Sequence, residues 1–372
     1  MNPKKLWIVT ELFPPDETST SYIMGEIANA MTRKYAVGVI CGPKVYDKRK
    51  KIDTEHKFEL HEGIEVHRAE GAGLDKNTAV GKAMSFLLMS KRMMSLVRKY
   101  VHDGDKVLMV TNPAPMVPLM AWLKRRIGFE LNILVHDVFP ENTRPAGLTL
   151  PFFGMFKRIF DKAYASADQL IALGRDMKEV LSRKVSRYNQ DMKITVIENW
   201  ADVINIKPQP FPDGKIILEY AGNIGRVQGL EKVIEDLPDD IELHLYGTGA
   251  MEEKFKEKKS DNVFFHGPYF RSQQNNVLAA CDMSLVALQE GMYGLGVPSK
   301  TYNILSSGRP ILFFGPKGSE IDLLVRENRI GYCGWPDEWD RNCLEEMGKR
   351  ARALAETKYS EKTILDKFLK TI

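Results

Sequence analysis

The feature that most constrains this chain is an alternation of short β-branched runs with segments of helical period. Residues 6–9, 37–40, 107–110 and 133–135 are brief apolar runs, each followed by Gly, Pro, Asn or Asp. Each reads as a strand buried on both faces of a parallel sheet. Helix-period segments fall between or after them, at about 21–34, 84–100, 115–126 and 152–166, and runs at 170–172 and 195–197 complete a first α/β unit. Residues 198–212 then read as a linker, with Pro208, Pro210 and Pro212. After it the alternation restarts, with runs at 216–220, 242–246, 263–266, 283–287 and 310–314. Strands alternating with helices imply doubly wound parallel sheets with right-handed crossovers. Two such units in tandem imply a cleft between them, with ligands held just after the strand ends.

Composition narrows the class. A length of 372 residues suits two domains, and 44% hydrophobic residues is ordinary for a folded chain. No run approaches the ~18–20 apolar residues of a membrane span. Lys4 and Lys5 precede the first apolar run, but Glu11, Pro14 and Pro15 end it too early for a signal peptide. Cys41, Cys281, Cys333 and Cys343 are far apart and form no CxxC pair, so a disulfide framework is not expected and a reducing cytoplasm is. Residues 1–200 carry 31 Lys+Arg and 23 Asp+Glu, leaving 22 and 26 for the remainder. A basic first half beside an acidic second half fits a first half that meets a polyanionic surface, or simply two solvated surfaces.

Three segments carry chemistry. Tyr220-Ala221-Gly222-Asn223-Ile224-Gly225-Arg226-Val227-Gln228-Gly229-Leu230 follows a strand and opens a helix. Glycines there admit close backbone approach, and free N–H groups at a helix start hold phosphate. Gly294-Leu295-Gly296-Val297-Pro298-Ser299-Lys300 begins another helix, with Asn303 one turn on from Ser299. A lysine in a first helical turn opposes the helix dipole, so Lys300 needs a reason to be there. His136-Asp137-Val138-Phe139-Pro140-Glu141 follows the run at 133–135, where an imidazole and a carboxylate suit acid, base or hydrogen-bonding work. Weaker strand-end turns are Gly247-Thr248-Gly249 and His266-Gly267-Pro268-Tyr269. Asp103-Gly104-Asp105 has the form of a metal-holding carboxylate pair, but it precedes its strand and reads as a surface turn. No HExxH, GxSxG or GxxxxGK[ST] appears. The segment 84–100 reads as a basic amphipathic helix with Lys91, Arg92, Arg98 and Lys99 in a stripe, suited to an anionic membrane surface or to packing with solvated lysines.

Together these residues resemble the GT-B glycosyltransferases of family four, in the bacterial surface-polysaccharide branch that includes fucosaminyltransferase-like enzymes. Glu11-Leu12-Phe13-Pro14-Pro15, His136-Asp137 with Pro140-Glu141, and Ile197-Glu198-Asn199-Trp200-Ala201-Asp202 are similar to family segments. So are the 220–230 stretch, Pro298–Tyr302 and Gly308-Arg309-Pro310.

The resemblance implies two Rossmann-like domains: 1–200 binding acceptor, 201–355 binding a nucleotide-sugar donor, and 356–372 a helix crossing back to the first. It implies retaining transfer to a sugar acceptor, such as a polyprenyl-diphosphate-sugar, without a metal or a cofactor. No nucleic-acid partner is expected, and peripheral attachment to the inner face of the cell membrane is. The expected catalytic set is His136, Asp137, Arg226 and Lys300. The expected donor-binding set is Gly222, Asn223, Gly225, Gln228, Gly247, Gly249, Tyr269, Ser299 and Asn303. Thr18-Ser19-Thr20-Ser21 stands where the family commonly has paired glycines. Asn223 and Gln228 replace its phosphate-loop Arg and Lys, and Leu295 and Asn303 its two glutamates. The phosphate contact is therefore expected at Arg226 and Lys300. A nucleotide-sugar epimerase of similar architecture and a non-catalytic sugar-nucleotide-binding protein are the competing readings.

Overall fold

The computed structural model describes residues 5–16, 18–44, 58–70, 79–258 and 260–372. The first sheet contains β1 (Lys5–Thr10), β2 (Ala36–Cys41), β3 (Phe58–His61), β4 (Ile64–Arg68), β5 (Lys106–Val110), β6 (Glu130–Val135), β7 (Gln169–Ala172) and β8 (Ile194–Val196). Their order is β3-β4-β2-β1-β5-β6-β7-β8, parallel except where β3 turns back on β4. The second sheet contains β9 (Ile216–Ala221), β10 (Ile241–Tyr246), β11 (Val263–Gly267), β12 (Met283–Ala287), β13 (Ile311–Phe314) and β14 (Gly331–Cys333). Its order is β11-β10-β9-β12-β13-β14, parallel throughout.

Strands β1, β5, β6 and β7 are almost wholly buried, as the unbroken apolar runs require. The β3–β4 hairpin and β14 escape a reading based on such runs. In β4 the apolar Ile64 and Val66 alternate with Glu65, and His67 and Arg68 are buried: His67 stacks on Tyr100 at 3.8 Å. The hairpin turn is Glu62-Gly63, both at positive φ, in place of the usual Asn-Gly or Asp-Gly. Asp103-Gly104-Asp105 is a turn entering β5, where Asp105 accepts from the Trp7 indole at 3.2 Å and from His102 N–H at 2.9 Å.

Helices α1 (Ser19–Met31), α2 (Ala79–Tyr100), α3 (Met116–Ile127), α4 (Phe153–Tyr164) and α5 (Arg175–Val185) belong to the first domain. The second has α6 (Leu230–Glu235), α7 (Glu252–Lys258), α8 (Gln274–Ala279), α9 (Lys300–Ser307), α10 (Glu320–Asn328) and α11 (Arg341–Thr357). The chain passes between the sheets without regular structure from 202 to 215. The last helix, α12 (Glu361–Thr371), starts at an N-cap where Ser360 Oγ accepts from Thr363 N–H. It lies on α1 of the first domain, where Tyr35 Oη and Lys106 Nζ donate to the Ile372 carbonyl at 2.6 and 2.9 Å.

The strand order reverses at β1/β5 in one sheet and at β9/β12 in the other, and the carboxyl ends at these two switch points face each other. The domains touch beside this opening. Val138 N–H donates to the Leu295 carbonyl at 3.0 Å, Asp137 and Gly296 form a bridge, and the Arg175 guanidinium pairs with Glu320 at 3.0 Å.

Candidate active site

A cleft of about 390 Å³ lies between the two switch points. Of the residues expected at the site, His136, Asp137, Gly222, Asn223, Gln228, Tyr269, Ser299, Lys300 and Asn303 line it. Gly225, Arg226, Gly247 and Gly249 do not. Arg226 begins a short 3₁₀ turn, Arg226–Gln228, and its side chain is exposed outside the cleft.

Gly247 and Gly249 act one layer behind. Gly222 N–H donates to the Tyr246 carbonyl at 2.8 Å and Ile224 N–H to the Thr248 carbonyl at 3.0 Å. A Cβ on Gly247 would sit 1.9 Å from the Gly222 oxygen, and one on Gly249 would sit 2.1 Å from the Ile224 oxygen. These glycines let the loop after β10 press against the loop after β9, which carries Gly222 and Asn223 to the cleft. Gly247 also has φ +129, where a side chain is strained. Gly247→Ala should therefore push the ligand loop out of place. The expected loss is about 2–4 kcal/mol of stability with at least tenfold weaker nucleotide binding, read by thermal melting and calorimetry.

Lys300 opens α9, and its side chain turns away from solvent. Its Nζ is buried, has no hydrogen-bond partner, and lies 3.2 Å from the centroid of the Tyr220 ring. A Cβ built on Gly222 would be 3.9 Å from the same Nζ, so the ammonium stands against the glycine loop. Burial pushes Lys300 down to about 7, opposed by the charge of Glu219. Gln228 Oε1 is likewise buried and unpartnered. Asn303 Oδ1 accepts from Asp202 N–H at 3.1 Å, fastening α9 to the interdomain segment.

The opposite wall is built by β6 and α1. Thr111 Oγ1 accepts from the N–H groups of both His136 and Asp137, at 3.1 and 3.2 Å, and so holds the strand end in place. His136 Nε2 is buried without a partner, and burial lowers its pKa to about 4. The imidazole is neutral at physiological pH, an uncharged hydrogen-bonding group aimed at the cleft. Its unfolded value of 6.5 exceeds the folded one, so the unfolded chain binds the proton more tightly. Stability from this group is present above pH 6.5 and is lost as pH falls towards about 4, with a ceiling of roughly 3 kcal/mol. Burial raises the pKa of Asp137, and a hydrogen bond from Asn112 opposes that rise. Ser19 and Thr20, from the segment that replaces the family's glycines, line the cleft at the start of α1. Thr18 Oγ1 caps that helix by accepting from Ser21 N–H at 3.2 Å.

Residues without a legible motif complete the cleft. Among the described residues Arg271 is, with Lys300, one of the two Lys or Arg side chains lining it. Its guanidinium lies 3.7 Å over the Tyr22 ring and pairs with Asp202 at 3.3 Å, while Tyr22 Oη donates to Glu361 at 3.0 Å. One contact network thus joins α1, the interdomain segment, α12 and the start of α8. Arg271 stands three residues before α8 in a polar stretch, and only the fold brings it to Tyr22.

No family model matches the chain. The curated probable glycosyltransferase WbjE of Pseudomonas aeruginosa is 29% identical over an alignment covering 98% of this chain and 96% of WbjE. Among solved structures, sucrose-phosphate synthase of Thermosynechococcus elongatus superposes with a TM-score of 0.75 at 12% identity, covering 99% and 98% of the two chains. The chain has the GT-B fold. HepE of Anabaena in complex with UDP gives a TM-score of 0.67 at 14% identity, covering 99% of each chain. WaaG, a glycosyltransferase involved in lipopolysaccharide biosynthesis, gives 0.64 at 12% identity over the same share of both chains. In this GT-B fold the cleft lies between the domains, with the 220–230 loop and Lys300 on one side and His136 on the other.

Proposed function

We propose that the protein is a family-four glycosyltransferase that moves a sugar from a nucleotide-sugar donor to a sugar acceptor in surface polysaccharide synthesis, with retention and without a metal. One observation carries the reading: a buried, unpartnered ammonium at Lys300 faces the glycine loop across the cleft from an unpartnered neutral imidazole at His136. Breaking a sugar–diphosphate bond builds negative charge on the leaving phosphate. Lys300, with the loop residues Gly222 and Asn223, is placed to take up that charge. Among the described residues Asp137 is the sole carboxylate lining the cleft, and its backbone is pinned in the bridge to Gly296. That arrangement favours front-face transfer, in which the departing phosphate takes the acceptor's proton, over attack by an enzyme carboxylate. His136 then orients the sugar by hydrogen bonding in its neutral form. The test incubates the protein with a panel of nucleotide sugars and a polyprenyl-diphosphate-sugar, reading product mass and anomeric configuration. A new donor sugar formed without acceptor would show an epimerase instead.

The acceptor reading extends to a membrane surface. No helix of the described residues is long and apolar enough to cross a membrane. Helices α2 and α4 each follow a first-domain strand, so each begins at the cleft end of the sheet. There they expose Met84, Phe86 and Leu87, and Phe152, Met155 and Ile159, with Phe152 78% exposed. Farther along, Trp122 of α3 is flanked by Arg98 and Arg126 at 4.9 and 4.5 Å, and Lys91 and Lys99 are exposed. Apolar side chains bordered by cations suit the interface of an anionic bilayer. Met89 and Met93, which the helical spacing sets beside the basic stripe, are instead in the core. Each Lys or Arg near such a surface contributes ~1 kcal/mol. Changing Lys91, Arg98, Lys99 and Arg126 to Gln should release the protein from vesicles containing anionic lipid, and added salt should release the unmodified protein. Equal co-sedimentation of the two would reject the attachment.

A further inference from the structure

The second-domain core contains a charge with no structural duty. Glu219 lies in β9, the central strand beside the switch point, and is 1% exposed. Neither carboxylate oxygen has a partner in good hydrogen-bonding geometry, and burial pushes the carboxyl up to about 7, opposed by the charge of Lys300 and by the Ser284 hydroxyl. Leaving such a group unpaired costs several kcal/mol, and an apolar residue would fill the position at no such cost. Its strand partners are His244 on β10 and Ser284 on β12. The titratable or charged groups near it are Lys300 of α9, Tyr220 beside it, Tyr246 of β10, Tyr269 before α8 and Cys281 before β12. Lys300 is the one cation among them. It lies outside salt-bridge range, held over the Tyr220 ring at the floor of the cleft, with His136 and Asp137 on the facing wall.

We propose that Glu219 is a positioning residue: its buried carboxylate keeps Lys300 in the ammonium form and turned inward while the donor site is empty, so that a cation is ready when a diphosphate arrives. This rests on the reading of Lys300 as the donor-phosphate contact. The physical reason is that burial strips water from the ammonium, and an ammonium so stripped releases its proton unless an anion shares the low-dielectric space. The aromatic face of Tyr220 supplies part of the stabilisation, and Glu219 the full opposite charge. When a diphosphate enters, its own charge replaces that of Glu219, and the lysine stem has only to swing off the ring to meet it. Glu219 touches neither substrate nor reacting atoms. Its effect passes through Lys300 alone.

The test measures binding of UDP, ADP, GDP and dTDP between pH 6 and 9, following the tightest binder, together with kcat/KM over the same range. In Glu219→Gln, affinity should match or exceed that of the unmodified protein at pH 6, because a repelling charge has gone. It should then fall away at least one pH unit earlier, so that binding at pH 8 is about tenfold weaker. A merely structural role would weaken binding equally at every pH. Glu219→Leu removes the charge with an apolar group, so either folded variant, checked by its melting temperature, decides. Glu219→Asp keeps the charge and should keep the unmodified profile. In a Lys300→Met background, Glu219→Gln should change nothing. Profiles of Glu219→Gln and Glu219→Leu that superimpose on the unmodified one would overturn the proposal, as would a shift of equal size in Glu219→Asp. If instead Lys300→Met binds the diphosphate normally, it is the phosphate reading itself that fails.

Discussion

Replacing Lys300 with Met should lower kcat/KM by about 10²–10³, a loss of several kcal/mol of transition-state stabilisation. Met retains the stem that lies along Gly222 and removes the charge that lies over Tyr220. The loss should be large because the ammonium is desolvated and has no competing hydrogen bond to surrender. Arg226→Gln serves as the internal control. Its side chain is exposed outside the cleft, so its kcat/KM should stay within about threefold of the unmodified protein. Arg271→Gln should fall between the two, since that guanidinium lines the cleft but is already shared with Asp202 and the Tyr22 ring. A Lys300→Met enzyme with near-normal kcat/KM would remove the ammonium from the mechanism, and equal losses at Lys300 and Arg226 would place the leaving phosphate elsewhere.

Replacing His136 with Ala should reduce kcat by about 10²-fold while changing nucleotide affinity less than threefold. The asymmetry follows from position. His136 belongs to the first-domain wall, and the 220–230 loop proposed to hold the nucleotide belongs to the second. A neutral imidazole that orients a sugar hydroxyl is replaceable in part by another uncharged hydrogen-bonding group, so His136→Gln should recover some of the turnover that Ala loses. The pH profile gives a second check. With its pKa held near 4, His136 does not titrate between pH 5 and 8, so its replacement should leave the acid limb of kcat in that range unmoved. The stability profile should change, because the loss between pH 6.5 and about 4 that protonation of His136 brings disappears in the variant. Unchanged turnover in His136→Ala would exclude the residue from transfer.

Much of the architecture is legible in the chain itself, for physical reasons that act over a few residues. A strand covered on both faces is largely apolar, which makes β1, β5, β6, β7 and β12 readable as short runs. Turns that release a backbone to meet a ligand need glycine, so the loop after β9 stands out, and a lysine set against a helix dipole marks the start of α9. Strands that alternate or carry buried polar groups, such as β4 with His67 and Arg68, do not stand out, because their burial comes from neighbours distant in sequence. The same limit divides the site. Residues after strands are known by local pattern to face a cleft, and His136, Asp137, Gly222 and Lys300 do. Whether a side chain at such a place enters the cleft, as Lys300 does, or leaves it, as Arg226 does, depends on the wall opposite. Gly247 and Gly249 show the converse: their pattern announces a close approach, and only the packing shows that the approaching group is the neighbouring loop. Glu219 is silent in the sequence, one acid within the run Ile217-Leu218-Glu219-Tyr220. Its meaning arises where the start of α9 brings Lys300 to the end of β9, because an electrostatic interaction depends on distance and dielectric, and tertiary structure sets both.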